Sequence, residues 1–138
     1  MELYNIRRYR NSKNKISKWK IRLNEFKMQS GNTWDVIIGI GPENPNNLSC
    51  FYDNAWTFIC GQSKISIKSG SPTEYNNNKG KLKKGDIVEV IIDRSIGNLS
   101  FAINGENYGI ACSNIPSDMI LFPIVMIYDE FESVEIIE

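Results

Sequence analysis

The stretch Leu82 to Glu138 reads LKKGDIVEVIIDRSIGNLSFAINGENYGIACSNIPSDMILFPIVMIYDEFESVEIIE, and its turns decide the fold. Ile87 to Asp93 has the alternating pattern of a strand, and Leu99, Phe101 and Ile103 form the inward face of the next one. The two meet at Ile96-Gly97-Asn98. A second turn, Asn104-Gly105, suits a two-residue type I′ hairpin, because both central positions need positive φ. A short apolar strand follows, then an Ile115-Pro116 loop, then strands over 121–128 and 133–137. Strands joined by turns this tight are antiparallel.

Upstream the pattern continues. Trp19, Ile21 and Leu23 alternate with Lys18, Lys20 and Arg22, which is period two with one wet face. Trp34, Val36, Ile38 and Ile40 repeat the pattern after a turn at Ser30-Gly31-Asn32. Residues 56–60 and 63–68 read as a hairpin around Gly61-Gln62. Residues 41–54 and 69–82 read as long polar loops, the second containing Pro72, Tyr75 and three consecutive Asn. Met1 to Lys15 is polar and basic, and reads as a leading arm or a weak edge strand before a single domain over 16–138. The expected class is all-β: a two-sheet antiparallel sandwich of jelly-roll type.

Composition agrees with that class. Ile occurs 21 times, Leu 6 times and Ala 3 times, so β-branched residues displace good helix formers. A chain of 138 residues holds one domain with a full core and not two. The 16 Lys/Arg balance the 16 Asp/Glu, which argues against a dedicated nucleic-acid binder. Nine of the 16 bases fall between Arg7 and Lys27, while Asp129, Glu130, Glu132, Glu135 and Glu138 crowd the other terminus. Terminal strands lying side by side would offset these two runs.

Cys50, Cys60 and Cys112 are odd in number and lack CxxC spacing, as expected of reduced thiols in an intracellular, cytoplasmic protein. Cys60 shares the parity of Trp56 and Phe58 and is expected in the core. Neither a signal peptide nor an apolar run of about 18 residues occurs, so no membrane role is expected. Histidine is absent, which excludes Ser-His-Asp and Cys-His catalysis and His-dependent zinc sites. Three cysteines cannot make a four-thiolate site. No cofactor or metal is expected.

In order along the chain, these pieces resemble a SPRY domain, the module also found in tripartite-motif proteins. Trp19-Lys20-Ile21 resembles the family's W-x-I strand and Ile38-Gly39-Ile40-Gly41 its I-G-I strand. Trp56-Thr57-Phe58 resembles G-W-x-F, with Ala55 in place of the Gly. Ser69, Gly70, Pro72 and Tyr75 match S-G-x-P-x-x-Y, and Gly85-Asp86-Ile87-Val88 matches G-D-I-V. Asp93 with Gly97, Leu99, Ser100 and Phe101 matches D-x-x-x-G-x-L-S-F. Asn104-Gly105, Gly109-Ile110-Ala111, Ile115-Pro116, Phe122-Pro123 and Val134-Glu135-Ile136 complete the series. The resemblance implies a bent sandwich and a non-catalytic interaction module, an adaptor or scaffold piece that recognises a peptide or partner surface.

Alternating strand senses place the loops over 41–54, 69–86, 104–106 and 129–132 at one end. Long polar loops on a rigid sandwich are where binding usually sits. By motif position, Lys68 stands where relatives often carry a contact Tyr, and Tyr128 where some carry a contact Trp. The candidate aromatic anchors are Phe51, Tyr52, Tyr75, Tyr128 and Phe131, with Asp53, Asp129 and Glu130 available to basic partner groups. The expected partner is a protein or peptide, not nucleic acid or membrane.

Three rival readings share the architecture. The chain could be a structural subunit of a large assembly without an exchangeable ligand. A calcium-dependent lectin would draw on Asn44, Asn46, Asn47 and Asp53. A jelly-roll glycoside hydrolase would need two carboxylates about 5 Å apart from the run Glu130, Glu132, Glu135. On a strand, however, 130 and 132 share a face and 135 does not.

Overall fold

The computed structural model describes residues 2–5, 16–26, 36–42, 54–68, 70–75, 82–127 and 131–137, with backbone alone at 2–5. Eleven strands form two antiparallel sheets, and no helix occurs among the described residues. In chain order the strands are β1 (Glu2–Asn5), β2 (Ile16–Glu25), β3 (Val36–Gly41), β4 (Trp56–Ile59), β5 (Lys64–Ile67) and β6 (Thr73–Glu74). They continue as β7 (Ile87–Asp93), β8 (Asn98–Ile103), β9 (Glu106–Cys112), β10 (Phe122–Ile127) and β11 (Ser133–Ile137). One sheet has the order β1-β10-β3-β4-β5-β6 and the other β11-β2-β7-β8-β9.

Each sheet follows from its side-chain pattern. In β2, β7 and β8 the alternation puts Trp19, Ile21, Leu23, Val88, Val90, Ile92, Leu99 and Phe101 between the sheets. A one-residue slip would turn all of them to water, so the register is firmly specified. The facing sheet contributes Val36, Ile38, Ile40, Trp56, Phe58 and Ile65 to the same core. Cys60 is fully buried there, as its parity indicated. Strands β3 and β10 are buried at every position. Their other parity supports a second, smaller cluster of Ile37, Ala55, Ile59, Ile124 and Met126. The second face of β3, expected to be wet from the alternation of Val36, Ile38 and Ile40, is therefore buried as well.

The two terminal charge runs do meet. β11 pairs with β2 along Ser133 to Ile137, and Arg22 Nη1 lies 2.8 Å from Glu135 Oε1. The hairpin between β8 and β9 turns at Asn104 (φ 51°) and Gly105 (φ 86°), the geometry expected of a type I′ turn.

One element was not anticipated, and it changes the loop assignment. Thr73–Glu74, expected to be loop, pairs with β5 as β6. This adds one reversal between β5 and β7, so every later strand runs opposite to the expected sense. β10 confirms the reversal: it is antiparallel to β3, with Phe122 opposite Gly41 and Ile127 opposite Val36. The molecule therefore has one end where β3, β5 and β7 finish and another where they begin. Residues 70–72, the turn 94–97 and the connection 113–121 gather at the first, with the exits at Gly41 and Lys68. Turns 60–63, 82–86 and 104–105, with Ile127 and Phe131, gather at the second. These are called the Arg94 end and the Asp86 end below. The expected grouping of the loops 104–106 and 129–132 with 41–54 is thereby corrected.

Candidate functional site

At the Arg94 end the sequence Asp93-Arg94-Ser95-Ile96-Gly97-Asn98 makes a self-bonded turn. The Asp93 carboxylate accepts from the Ser95 backbone N–H at 3.0 Å and from its hydroxyl at 2.5 Å. Gly97 N–H donates to the Asp93 carbonyl at 2.9 Å. Gly97 has φ 71°, and a Cβ there would sit 3.0 Å from the Ile115 carbonyl oxygen. The backbone of the neighbouring connection needs that space, since Ile115 N–H donates to Gly97 O at 3.0 Å.

Arg94 ties the same two segments from beneath. Its side chain is 2 % exposed, and Nη2 donates to the carbonyls of Pro116 and Met119, each at 2.6 Å. Burial pulls its pKa down while the nearby Asp118 carboxylate pulls it up. A guanidinium pKa starts so high that it stays charged. Charge-assisted bonds of this length hold a loop more firmly than neutral ones. The turn and the connection are thus one rigid unit. Beside its exposed polar residues the unit presents two aliphatic side chains outward: Ile96 is 65 % exposed, and Ile120 is also exposed.

The β5 exit supplies the second part of this end. Lys68 adopts φ 50°, donates its N–H to Ala55 O at 2.8 Å, and places Nζ 5.4 Å from the centroid of the Trp56 ring. That is cation–π distance. Ser66 Oγ donates to Gly70 O and Gly70 N–H to Ile67 O, which fixes the turn. Ile67 and Lys68 are both exposed on it. This end thus carries exposed aliphatic side chains beside one oriented cation.

The predicted site residues separate under this geometry. Lys68 lies at the Arg94 end. Phe51, Tyr52 and Asp53 fall outside the described residues, between Pro42 and Asn54. Tyr128, Asp129 and Glu130 also fall outside them, and the described residues on either side, Ile127 and Phe131, belong to the Asp86 end. Phe131 is 65 % exposed there. The structure does not bring it together with Lys68.

Tyr75 is placed in the core rather than on a loop surface. It follows β6, the edge of one sheet, and faces β9, the edge of the other. Only 5 % of it is exposed. Its ring meets those of Phe58, Phe101 and Tyr108 at centroid distances of 6.0, 6.2 and 5.9 Å. Its hydroxyl donates to Gly109 O at 2.5 Å and accepts from Phe101 N–H at 3.1 Å. Burial pushes its pKa up to about 12. Tyr75 closes the open side of the sandwich.

The sequence reading missed Ile67, Ile96 and Ile120. The signal for Ile96 was available: an isoleucine at the apex of R-S-I-G-N has no core to face. The carboxylates of the glycosidase reading do not converge in the described part. Glu132 is buried, whereas Glu135 lies on the outer sheet face against Arg22. No described helix is long and apolar enough to cross a membrane.

Comparison with known proteins agrees with the fold. The crystal structure of the SPRY domain of human HERC1 superposes with a TM-score of 0.69 at 18 % identity, covering 90 % of this chain and 75 % of that one. No curated protein matches the chain. Among protein families, the SPRY domain matches residues 17–138. SPRY domains are in general protein–protein interaction modules, and this chain belongs to the SPRY domain family.

Proposed function

We propose that this chain is a non-catalytic protein-interaction module that binds a peptide or partner surface with its Arg94 end. One observation carries the reading: exposed Ile67, Ile96 and Ile120 stand on turns that internal hydrogen bonds, led by those of buried Arg94, hold rigid. A rigid apolar rim binds with little ordering cost, and Lys68 adds a cation for a partner carboxylate or carbonyl. The HERC1 likeness is to a SPRY domain and supports the fold on which this reading stands.

The test is affinity capture from the source cells with wild type beside Lys68→Glu/Ile96→Asp, using melting temperature as the fold control. The double variant is expected to lose the captured partners at an unchanged melting temperature. Identical partners in identical yield from both folded proteins would exclude the Arg94 end. Partners that never dissociate from either protein would favour a fixed structural subunit instead.

A further inference from the structure

The outer face of the five-stranded sheet presents an apolar trough beside two cations. Cross-strand pairing sets Lys18, Ile91, Ser100 and Ile110 in one row, on β2, β7, β8 and β9. Directly opposed residues point to the same face. On β8 the outward side chains are short: Asn98, Ser100 and Ala102. Ile91 and Ile110 stand on either side of them. Two strand spacings put these walls roughly 10 Å apart, the width that seats one aliphatic side chain. Ile110 is 59 % exposed, and Ile16, diagonal to Ile91, is 57 % exposed. The other sheet differs, since the outward-facing Ile37, Ile59, Ile124 and Met126 there are buried in their own cluster. On the five-stranded sheet Ile16 and Ile110 are exposed and Ile91 half-buried, while Ala102 is buried between its neighbours.

Charge on this face is selective. Arg22 is engaged by Glu135, and Asp93 by Ser95. Lys18 faces Ile91 across the strands and Lys20 faces Glu89. Among the described residues neither lysine forms an ion pair with a carboxylate. Two lysines around a trough one side chain wide fit a short acidic segment. They are too few for the row of phosphate contacts that nucleic acid requires.

We propose that this face docks an acidic–aliphatic segment of a partner protein. An aliphatic side chain sits over Ser100 between Ile91 and Ile110, and carboxylates of the same segment reach Lys18 and Lys20. The site is separate from the Arg94-end rim, so one domain can hold two partners or two parts of one.

A displayed library of random dodecapeptides, selected on the full chain, tests this. The expected binders carry Asp or Glu beside Ile, Leu or Val. Remeasured as synthetic peptides, they weaken at least about tenfold on Lys18→Glu/Lys20→Glu and, separately, on Ile110→Asp, a loss of about 1.4 kcal/mol or more. Lys68→Glu leaves their affinity unchanged. All these side chains are exposed, and unchanged melting temperatures confirm folding. The proposal is overturned if the selection yields no acidic–aliphatic binders, or if Lys18→Glu/Lys20→Glu and Ile110→Asp bind them undiminished. It is also overturned if Lys68→Glu abolishes binding, or if the chain binds phosphatidylserine vesicles through Lys18 and Lys20 but no peptide.

Discussion

The two ends of the sandwich are both well tied, but in opposite ways. At the Asp86 end the tie is a buried carboxylate that accepts from exposed polar neighbours. Asp86 accepts from the Lys83 backbone N–H at 2.9 Å and from its ammonium at 3.0 Å, and Asn104 Nδ2 donates to it at 3.0 Å. Asn104 Oδ1 accepts in turn from Ile87 N–H, and Lys84 pairs with Glu25. At the Arg94 end the tie is one buried guanidinium bonded to backbone carbonyls, and the surface includes the exposed aliphatics Ile67, Ile96 and Ile120 among polar residues. The buried carboxylate draws its donors from side chains at the surface, so the Asp86 end shows water Lys83, Lys84 and Asn104 together with the exposed Phe131. A loop fastened from beneath is free to expose apolar side chains at a fixed geometry. The second arrangement is the one proposed above to bind a partner.

Arg94→Met is the strongest way to break that contrast. It removes both 2.6 Å bonds and leaves the carbonyls of Pro116 and Met119 without those donors. The expected loss is about 3 kcal/mol in urea denaturation. Partner capture at the Arg94 end should fall with it, even at temperatures where the variant is folded. A fully stable variant with intact binding would show that this end does not depend on its buried cation.

Tyr75→Phe tests whether either end can stand without the strap between the sheets. The ring packing survives, but the hydroxyl's bonds to Gly109 O and Phe101 N–H are lost. A loss of about 1.5 kcal/mol is expected. The pH dependence gives a second readout. The folded-state pKa is raised from 10.0 to about 12, so the unfolded chain releases this proton first. The contribution is therefore full below pH 10 and disappears as pH rises toward 12. Cys112 is raised by burial from 9.0 to about 12 and acts in the same direction from a lower starting pH. In a Cys112→Ala background, wild-type Tyr75 should show a steep alkaline fall in stability between pH 10 and 12. Tyr75→Phe should show a flatter one. Parallel curves would mean that the hydroxyl is not buried.

These cases also show what the sequence could disclose. Period-two runs placed Trp19, Ile21, Leu23, Leu99 and Phe101 in the core, because a half-wet strand advertises its inward face in every second residue. Asn104-Gly105 announced its turn because few other residues accept positive φ twice. The pair Thr73–Glu74 gave no such sign. Two exposed residues beside a proline carry no alternation, and only the pairing with Lys64 and Ile65 makes them a strand. That single omission inverted the sense of every later strand and joined Lys68 with Phe131 at one end. Tyr75 was misplaced for a related reason. In a polar loop its ring read as an anchor, although a loop that crosses the open side of a sandwich needs an aromatic to fill it. Arg94 carried no signal, since a buried arginine that serves backbone carbonyls looks like any other charged turn residue.

Asp86→Asn makes the smallest change and isolates the polar end. The substitution keeps the shape of the side chain but replaces one acceptor oxygen with a donor. That donor must then face Lys83 or Asn104, which are themselves donating. A loss of about 1 kcal/mol is expected at neutral pH. Burial alone would raise the Asp86 carboxyl, but hydrogen bonds from Asn104 and Lys83 outweigh it and hold the pKa below the ordinary 3.8. The contribution is thus present above the unfolded-state value and is lost as pH falls through the depressed folded one. Asp86→Asn should destabilise the protein at pH 7 and converge with wild type under acid. Capture of partners by the Arg94 end should be untouched. If it weakens as much as in Arg94→Met, the two ends are not independent, and the sandwich transmits strain along its strands from one set of turns to the other.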